Sequence, residues 1–139
     1  READGAAAIR SWLNSNSLAM PELVMENGAG LSRSERISAG SLARLLQAAY
    51  RSPVMPEFVS SMPVVAVDGT MKKRLAGLAV AGRAHVKGGT LQGVRTMAGY
   101  VLDKAGRMQV VVFFVNDAHA SGAVRPAQDA LLQWIYDGQ

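Results

Sequence analysis

The sequence predicts an α+β fold, an antiparallel sheet with flanking helices, built as a single compact unit over residues 1–139. Three observations carry that prediction. Helix-periodic segments come first, three strand patterns joined by short turns follow between residues 83 and 116, and one more helix-periodic segment closes the chain. The composition is that of a globular domain, with 49% hydrophobic and 19% charged residues and a mean hydropathy of +0.09. A chain of this length buries about 70% of its unfolded surface, so a core forms without staples. The absence of cysteine removes disulfides, thiolate metal sites and a cysteine nucleophile together.

The first helix is predicted over residues 6–13, where Ala6, Ile9 and Leu13 recur at helical spacing. Asp4 stands before it as an N-cap, and Asn14-Ser15-Asn16-Ser17 supplies a stop. Leu23-Val24-Met25 is a short strand-like run that enters Glu26-Asn27-Gly28-Ala29-Gly30, a tight loop by its glycines and asparagine. A second helix covers residues 42–50, capped by Ser38 or Ser41 and ended ahead of Pro53. Three prolines and several serines between Ser52 and Pro63 predict an irregular connection. Val64-Val65-Ala66-Val67 is a buried-looking stretch closed by Asp68-Gly69-Thr70.

Strands are predicted over residues 83–91, 94–102 and 108–116. The last two are separated by Asp103-Lys104-Ala105-Gly106-Arg107, a hairpin loop of the length that carries a glycine bulge. A loop over residues 117–126, broken by Ser121-Gly122 and Pro126, leads to a final helix over 127–136 with Leu131, Leu132 and Ile135 as its apolar stripe. Trp12 and Trp134 read as core anchors. The dispersed methionines, Met20, Met25, Met55, Met62, Met71, Met97 and Met108, read as core filler.

Charge narrows the function classes. Fifteen Lys+Arg against eleven Asp+Glu give +4 and a pI near 9.9, but the basic residues are scattered singly and lack aromatic neighbours. A nucleic-acid domain therefore fits only the pI, and no nucleic-acid partner is expected. The one dense run, Lys72-Lys73-Arg74, reads as a solvated turn or helix start. No apolar stretch reaches membrane-helix length, Val110 to Val115 being strand-sized. The opening Arg1-Glu2-Ala3-Asp4-Gly5 is no signal peptide, which fits a cytosolic protein or an internal fragment.

Chemistry concentrates in Val86-Lys87-Gly88-Gly89-Thr90-Leu91. Glycines inside a strand let another backbone or a ligand approach, and an edge strand so exposed pairs with an extended peptide. Lys87 adds a positive charge, while Thr90 adds a hydroxyl and a backbone N–H able to point at an oxyanion. The same residues also fit a bulge or sheet corner beside a surface lysine. By period-2 alternation Lys87 and Thr90 lie on opposite faces, and a bulge at Gly88-Gly89 would let both side chains reach one cavity.

Three blocks in series carry a resemblance: Glu26-Asn27-Gly28-Ala29-Gly30-Leu31-Ser32-Arg33, then Ala66-Val67-Asp68-Gly69-Thr70-Met71-Lys72-Lys73-Arg74-Leu75, then the stretch from His85 through Lys87-Gly88-Gly89-Thr90-Leu91 to Ala98-Gly99-Tyr100-Val101. Together they resemble the C-terminal part of a class C low-molecular-mass penicillin-binding protein. That family comprises periplasmic serine D-Ala-D-Ala carboxypeptidases and endopeptidases that trim peptidoglycan stem peptides through an acyl-enzyme. The resemblance implies the C-terminal part of the penicillin-recognising, transpeptidase-like domain, and a periplasmic location. Lys87-Gly88-Gly89 stands where the family has Lys-Thr-Gly on an edge strand. The implied catalytic residues are Lys87 and Thr90, whose backbone N–H faces the oxyanion, and the implied substrate-binding residues are Gly88, Gly89, Thr90 and Leu91. Implied partners are a stem peptide ending in D-Ala-D-Ala, β-lactams as inhibitors of the full-length enzyme, and the missing N-terminal portion of the same protein. No cofactor is implied.

The chain departs from the family in two ways. No serine has a lysine three positions later and no asparagine has a serine two positions before it, so the nucleophile motif Ser-x-x-Lys and the second signature Ser-x-Asn are both absent. Both belong upstream of the Glu-Asn-Gly-Ala-Gly block in the family, which marks the chain as a C-terminal fragment expected to be inactive alone. Gly88 replaces the usual Thr or Ser, so recognition of the substrate carboxylate must lean on Thr90, an arginine or water. The alternative function is a non-catalytic module that binds a peptide or cell-wall fragment by strand addition.

Other residues read as structural. His85 and His119 lack an acidic or cysteine partner at ligand spacing, so no metal site is expected. Asp68 before Gly69-Thr70 reads as an Asx turn bonding its own downstream backbone. Arg33 reads as a loop pin, and Arg95 and Arg125 as solvated single charges, although either could face an anionic substrate.

Overall fold

A computed structural model describes residues 2–138. The chain is described as two compact units, Arg1–Leu45 and Leu46–Gln139. In the first unit, helix α1 spans Glu2–Ser15, so Asp4 lies inside its first turn and is not the N-cap. The stop falls as its polar cluster dictates: Ser15 Oγ and Asn16 Nδ2 both donate to the Trp12 carbonyl, at 2.9 and 2.8 Å, and Ser17 turns left-handed with φ 57°. Leu13, Leu18, Met20 and Leu23 are buried, but Trp12 is 53% exposed and is no core anchor. Neighbouring helical positions point about 100° apart, and Leu13 takes the buried direction. The run at Leu23-Val24-Met25 shrinks to a single bridge between Val24 and Arg36. Asn27 Oδ1 accepts the Ala29 N–H at 2.8 Å in the glycine loop. Helix α2 spans Ala39–Tyr50 and Ser38, not Ser41, caps it, its Oγ accepting the Ser41 N–H at 3.1 Å.

In the second unit, two prolines conceal helix starts. Helix α3, Met55–Ser60, stands in the predicted irregular connection, and helix α4, Val124–Asp137, begins before Pro126 and not after it. Both prolines sit in a first turn, where the missing N–H breaks no intrahelical bond. Asp68 is structural as expected, but it bonds upstream: its Oδ1 accepts the Val64 N–H at 2.7 Å, ahead of a 3-10 turn over Gly69–Met71.

The sheet follows the alternation in the sequence closely. Strands β1, Ala84–Leu91, β2, Val94–Leu102, and β3, Met108–Asn116, form an antiparallel meander in the order β1-β2-β3. Gly93 and Gly106 take positive φ in its two turns. One face carries Ala84, Val86, Met97, Val101 and Val111 into a core shared with Val65, Met71, Val80 and Leu132. Burying a leucine such as Leu132 contributes about 1.5–3 kcal/mol. On the other face Tyr100 is fully buried, donates its hydroxyl to the Leu46 carbonyl at 2.6 Å and lies 5.5 Å from the Tyr50 ring. Burial, with Tyr50 beside it, pushes the Tyr100 hydroxyl above its ordinary pKa.

α4 turns Leu131, Leu132 and Ile135 into the core and leaves Trp134 53% exposed, so this tryptophan too is no anchor. Met20, Met71 and Met97 are buried as filler, while Met25, Met55, Met62 and Met108 are only partly covered. The basic run is not uniformly solvated either. Lys72 and Lys73 are exposed, but Arg74 is 8% exposed, donating Nε to Asp129 Oδ1 at 2.8 Å and Nη2 to Gln128 Oε1 at 3.4 Å.

The hairpin after β2 makes stability sensitive to acid. The Arg107 N–H holds the Asp103 carboxyl down to about 2, with Gln109 and the Arg107 side chain assisting. A carboxyl depressed by folding stabilises the fold at pH values above its unfolded pKa of about 3.9, and that contribution disappears as pH falls toward 2. Glu22, held at about 2 by the hydroxyls of Ser41 and Ser38, acts in the same direction. Urea midpoints measured from pH 6 to pH 2 should therefore fall below pH 4, and Asp103→Asn should flatten part of that fall; an unchanged slope in the variant would rule Asp103 out as a source. Among the described residues, no helix is long and apolar enough to cross a membrane.

Candidate functional site

β1 has a covered half and an open half. The Val65 N–H donates to the Ala84 carbonyl at 2.9 Å and the Val86 N–H to the Pro63 carbonyl at 3.0 Å, which closes the outer edge over the first residues of the strand. These two bonds also set its phase. Backbone groups of successive residues face alternate edges, so 84, 86, 88 and 90 all direct N–H and C=O away from β2. Beyond Val86 the covering segment has turned away, and the Gly88 and Thr90 peptide groups face an open edge, the geometry that an extended peptide joins as an added strand.

The register runs unbroken from Ala84↔Val101 to Leu91↔Val94. Gly88-Gly89 therefore forms no bulge, and the side chains of Lys87 and Thr90 stay on opposite faces. They nonetheless serve one edge. Exposed Lys87 bends over the strand and donates Nζ to the outward-facing Gly88 carbonyl at 2.8 Å, which brings its ammonium to the edge that the Thr90 N–H also faces. The two glycines differ in what they tolerate. A Cβ on Gly89 would run into Thr96 Oγ1, whereas one on Gly88 would meet only the Thr96 carbonyl oxygen at 3.7 Å, an ordinary contact. Leu91, half-buried, closes the hairpin opposite Val94.

Behind this edge, on the Thr90 face, lies a cavity of about 460 Å³ lined by Gly88, Thr90, Arg74, Arg95, Arg125 and Gln128 among others. Arg95 is half-buried and donates Nη1 to the Leu91 and Val94 carbonyls at 2.6 and 2.8 Å. The sequence singles out Arg95 and Arg125 separately, and the fold brings them to one cavity with Arg74. No local signal announces that meeting, because the three lie on β2, at the start of α4 and after the 3-10 turn.

The histidines stand apart from this arrangement. His119 does have an acidic partner, Asp117 two residues earlier, with Nδ1 3.1 Å from Oδ1 on an exposed loop. His85 is half-buried opposite Tyr100 on the sheet face of Lys87. Among the described residues, no three His, Cys, Asp or Glu side chains gather where a metal ion could be held.

Residues 2–137 match the profile of the D-Ala-D-Ala carboxypeptidase 3 (S13) family. A D-alanyl-D-alanine carboxypeptidase of Actinomadura sp. (strain R39) is 30% identical over 132 residues, a match covering 91% of this chain and 24% of that protein. Penicillin-binding protein 4 of Haemophilus influenzae, solved in complex with a β-lactam, superposes with a TM-score of 0.83 at 21% identity, over 99% of this chain and 33% of its own. A predatory endopeptidase of Bdellovibrio bacteriovorus, acylated by penicillin G and bound to an immunity protein, gives a TM-score of 0.74 at 17% identity over 95% of this chain and 38% of its own. The chain thus spans about a quarter to two fifths of the proteins it resembles, and it shares their fold.

Proposed function

The chain belongs to the D-Ala-D-Ala carboxypeptidase 3 (S13) family, and from that premise we propose that it is the C-terminal segment of a transpeptidase-like domain in a serine-type D-Ala-D-Ala carboxypeptidase or endopeptidase. Its substrate is a peptidoglycan stem peptide and its place of work the periplasm. β-Lactams inhibit the full-length enzyme by acylating it. In this reading a serine from outside these residues attacks the penultimate D-alanine carbonyl, the terminal D-alanine leaves, and water hydrolyses the acyl-enzyme. The chain contributes the edge that receives the substrate. Gly88, Gly89, Thr90 and Leu91 line the peptide, the Thr90 N–H donates to the oxyanion, and Lys87 holds positive potential where negative charge develops.

The observation that carries this reading is that Lys87 Nζ reaches the edge faced by the outward Thr90 N–H. Two experiments test it. The full-length protein should form a stoichiometric adduct with penicillin, while the 139-residue chain alone should show no mass shift with a β-lactam and release no D-alanine. An adduct on a serine of this chain would overturn the division of labour. A full-length protein that binds stem peptide without ever being acylated would establish the non-catalytic, strand-adding module instead.

A further inference from the structure

The face of the sheet that carries Lys87 holds another polar group with nothing bound to it. Across β1 and β2 the polar side chains on this face are His85, Lys87, Thr96 and Tyr100, by the alternation and the pairing register. Tyr100 is fully buried and commits its hydroxyl to the Leu46 carbonyl. His85 stands in the covered half of the strand, bridged to Val64, and its Nδ1 is buried without a hydrogen-bond partner among the described residues. Thr96 belongs to the open half. It is half-buried opposite Gly89, makes no side-chain hydrogen bond among the described residues, and its Oγ1 occupies the space that a Cβ on Gly89 would need. The glycine thus leaves the hydroxyl its seat beside the edge.

Lys87 cannot keep its present bond once that edge is occupied. An antiparallel strand added there exchanges two hydrogen bonds with Gly88, one of them into its carbonyl, and that carbonyl holds the Lys87 ammonium at 2.8 Å. A displaced ammonium needs a new acceptor. Lys87 pairs with Ala98, so Thr96 is its diagonal neighbour across the β1–β2 ladder, a spacing of about 7–8 Å that a long side chain spans. We propose that Thr96 is the positioning residue for Lys87: as a peptide takes the Gly88 carbonyl, the Thr96 hydroxyl receives the ammonium and holds it at the edge where the reacting carbonyl lies. The proposal rests on the reading of β1 as the substrate edge. It makes the Lys87–Gly88 bond a resting state that the substrate itself opens.

Steady-state kinetics of the full-length protein on an acyl-D-Ala-D-Ala peptide, with thermal melts alongside, test it. Thr96→Ala should lower kcat/KM about tenfold, the scale of one hydrogen bond to a charged group, while Thr96→Ser, which keeps the hydroxyl and loses only the methyl, should stay within about twofold of the parent. The decisive variant combines Thr96→Ala with Lys87→Ala. Thr96 acts through Lys87, so the pair should be no slower than Lys87→Ala alone; losses that multiply would make Thr96 a packing residue and overturn the proposal. Equal losses in the serine and alanine variants would overturn it too, by assigning the effect to the methyl. A fully active Thr96→Ala enzyme beside an impaired Lys87→Ala enzyme would overturn the Thr96 assignment and leave β1 as the substrate edge. Undiminished activity in Lys87→Ala would overturn both. If His85→Gln, and not Thr96→Ala, showed the loss and its dependence on Lys87, the imidazole would be the acceptor and the Thr96 assignment would fall.

Discussion

Lys87→Ala in the full-length protein is expected to lower kcat/KM for an acyl-D-Ala-D-Ala peptide by about a hundredfold or more, the scale of losing one preorganised electrostatic contact. In the proposed role the ammonium would matter more as negative charge builds on the reacting carbonyl than in the ground state, so the loss should appear in kcat as well as in KM. Stability should change by no more than about 1 kcal/mol, because Lys87 is exposed and its hydrogen bond goes to the neighbouring Gly88 carbonyl. Steady-state kinetics beside thermal melts decide the matter. A fully active Lys87→Ala enzyme would reduce the Lys-Gly-Gly-Thr stretch to a strand with a surface lysine.

Gly99→Ala should do the reverse, striking the fold before the chemistry. Gly99 sits opposite Val86 in the β1–β2 pairing with φ of 154°. A Cβ there would run into the His85 carbonyl oxygen and come within 2.8 Å of Val86 Cα. Both obstacles are backbone, so neither can rotate aside; the strands must separate. Strain at a backbone angle reserved for glycine and overpacking between paired strands each cost about 1–3 kcal/mol, so a loss of about 3 kcal/mol or more is expected in urea unfolding. A variant within about 1 kcal/mol of its parent would mean that the pairing at Val86↔Gly99 is looser than described.

The strands were legible because alternation and turn glycines are local signals that sit next to each other in the chain. The prolines misled for a physical reason: Pro56 and Pro126 break a helix interior but cost nothing in a first turn, and a sequence does not announce which of the two it offers. The tryptophans misled because helical spacing reports an apolar face without reporting what covers it. At the candidate site, the family resemblance points to Lys87 and Thr90, but the way they serve one edge depends on strand phase. That phase is set by bonds from Pro63 and Val65, about twenty residues upstream. The arginine cavity was hidden more deeply, since Arg74, Arg95 and Arg125 look like single surface charges until the sheet and α4 bring them together.

The groups that β1 turns to its open edge are peptide groups, which has a bearing on how the site would respond to mutational scanning. Alanine at 88, 90 or 91 trims or adds side chains while every outward N–H and C=O stays where it was, so such a scan would pass over the proposed oxyanion donor as if it were neutral. Proline at position 90 is the natural substitution that deletes that donor. An edge strand can admit it, since the N–H it removes takes no part in the ladder to β2. Unlike Lys87, whose contribution is carried by its side chain, the Thr90 N–H proposed for the oxyanion stays out of reach of every substitution at that position except proline.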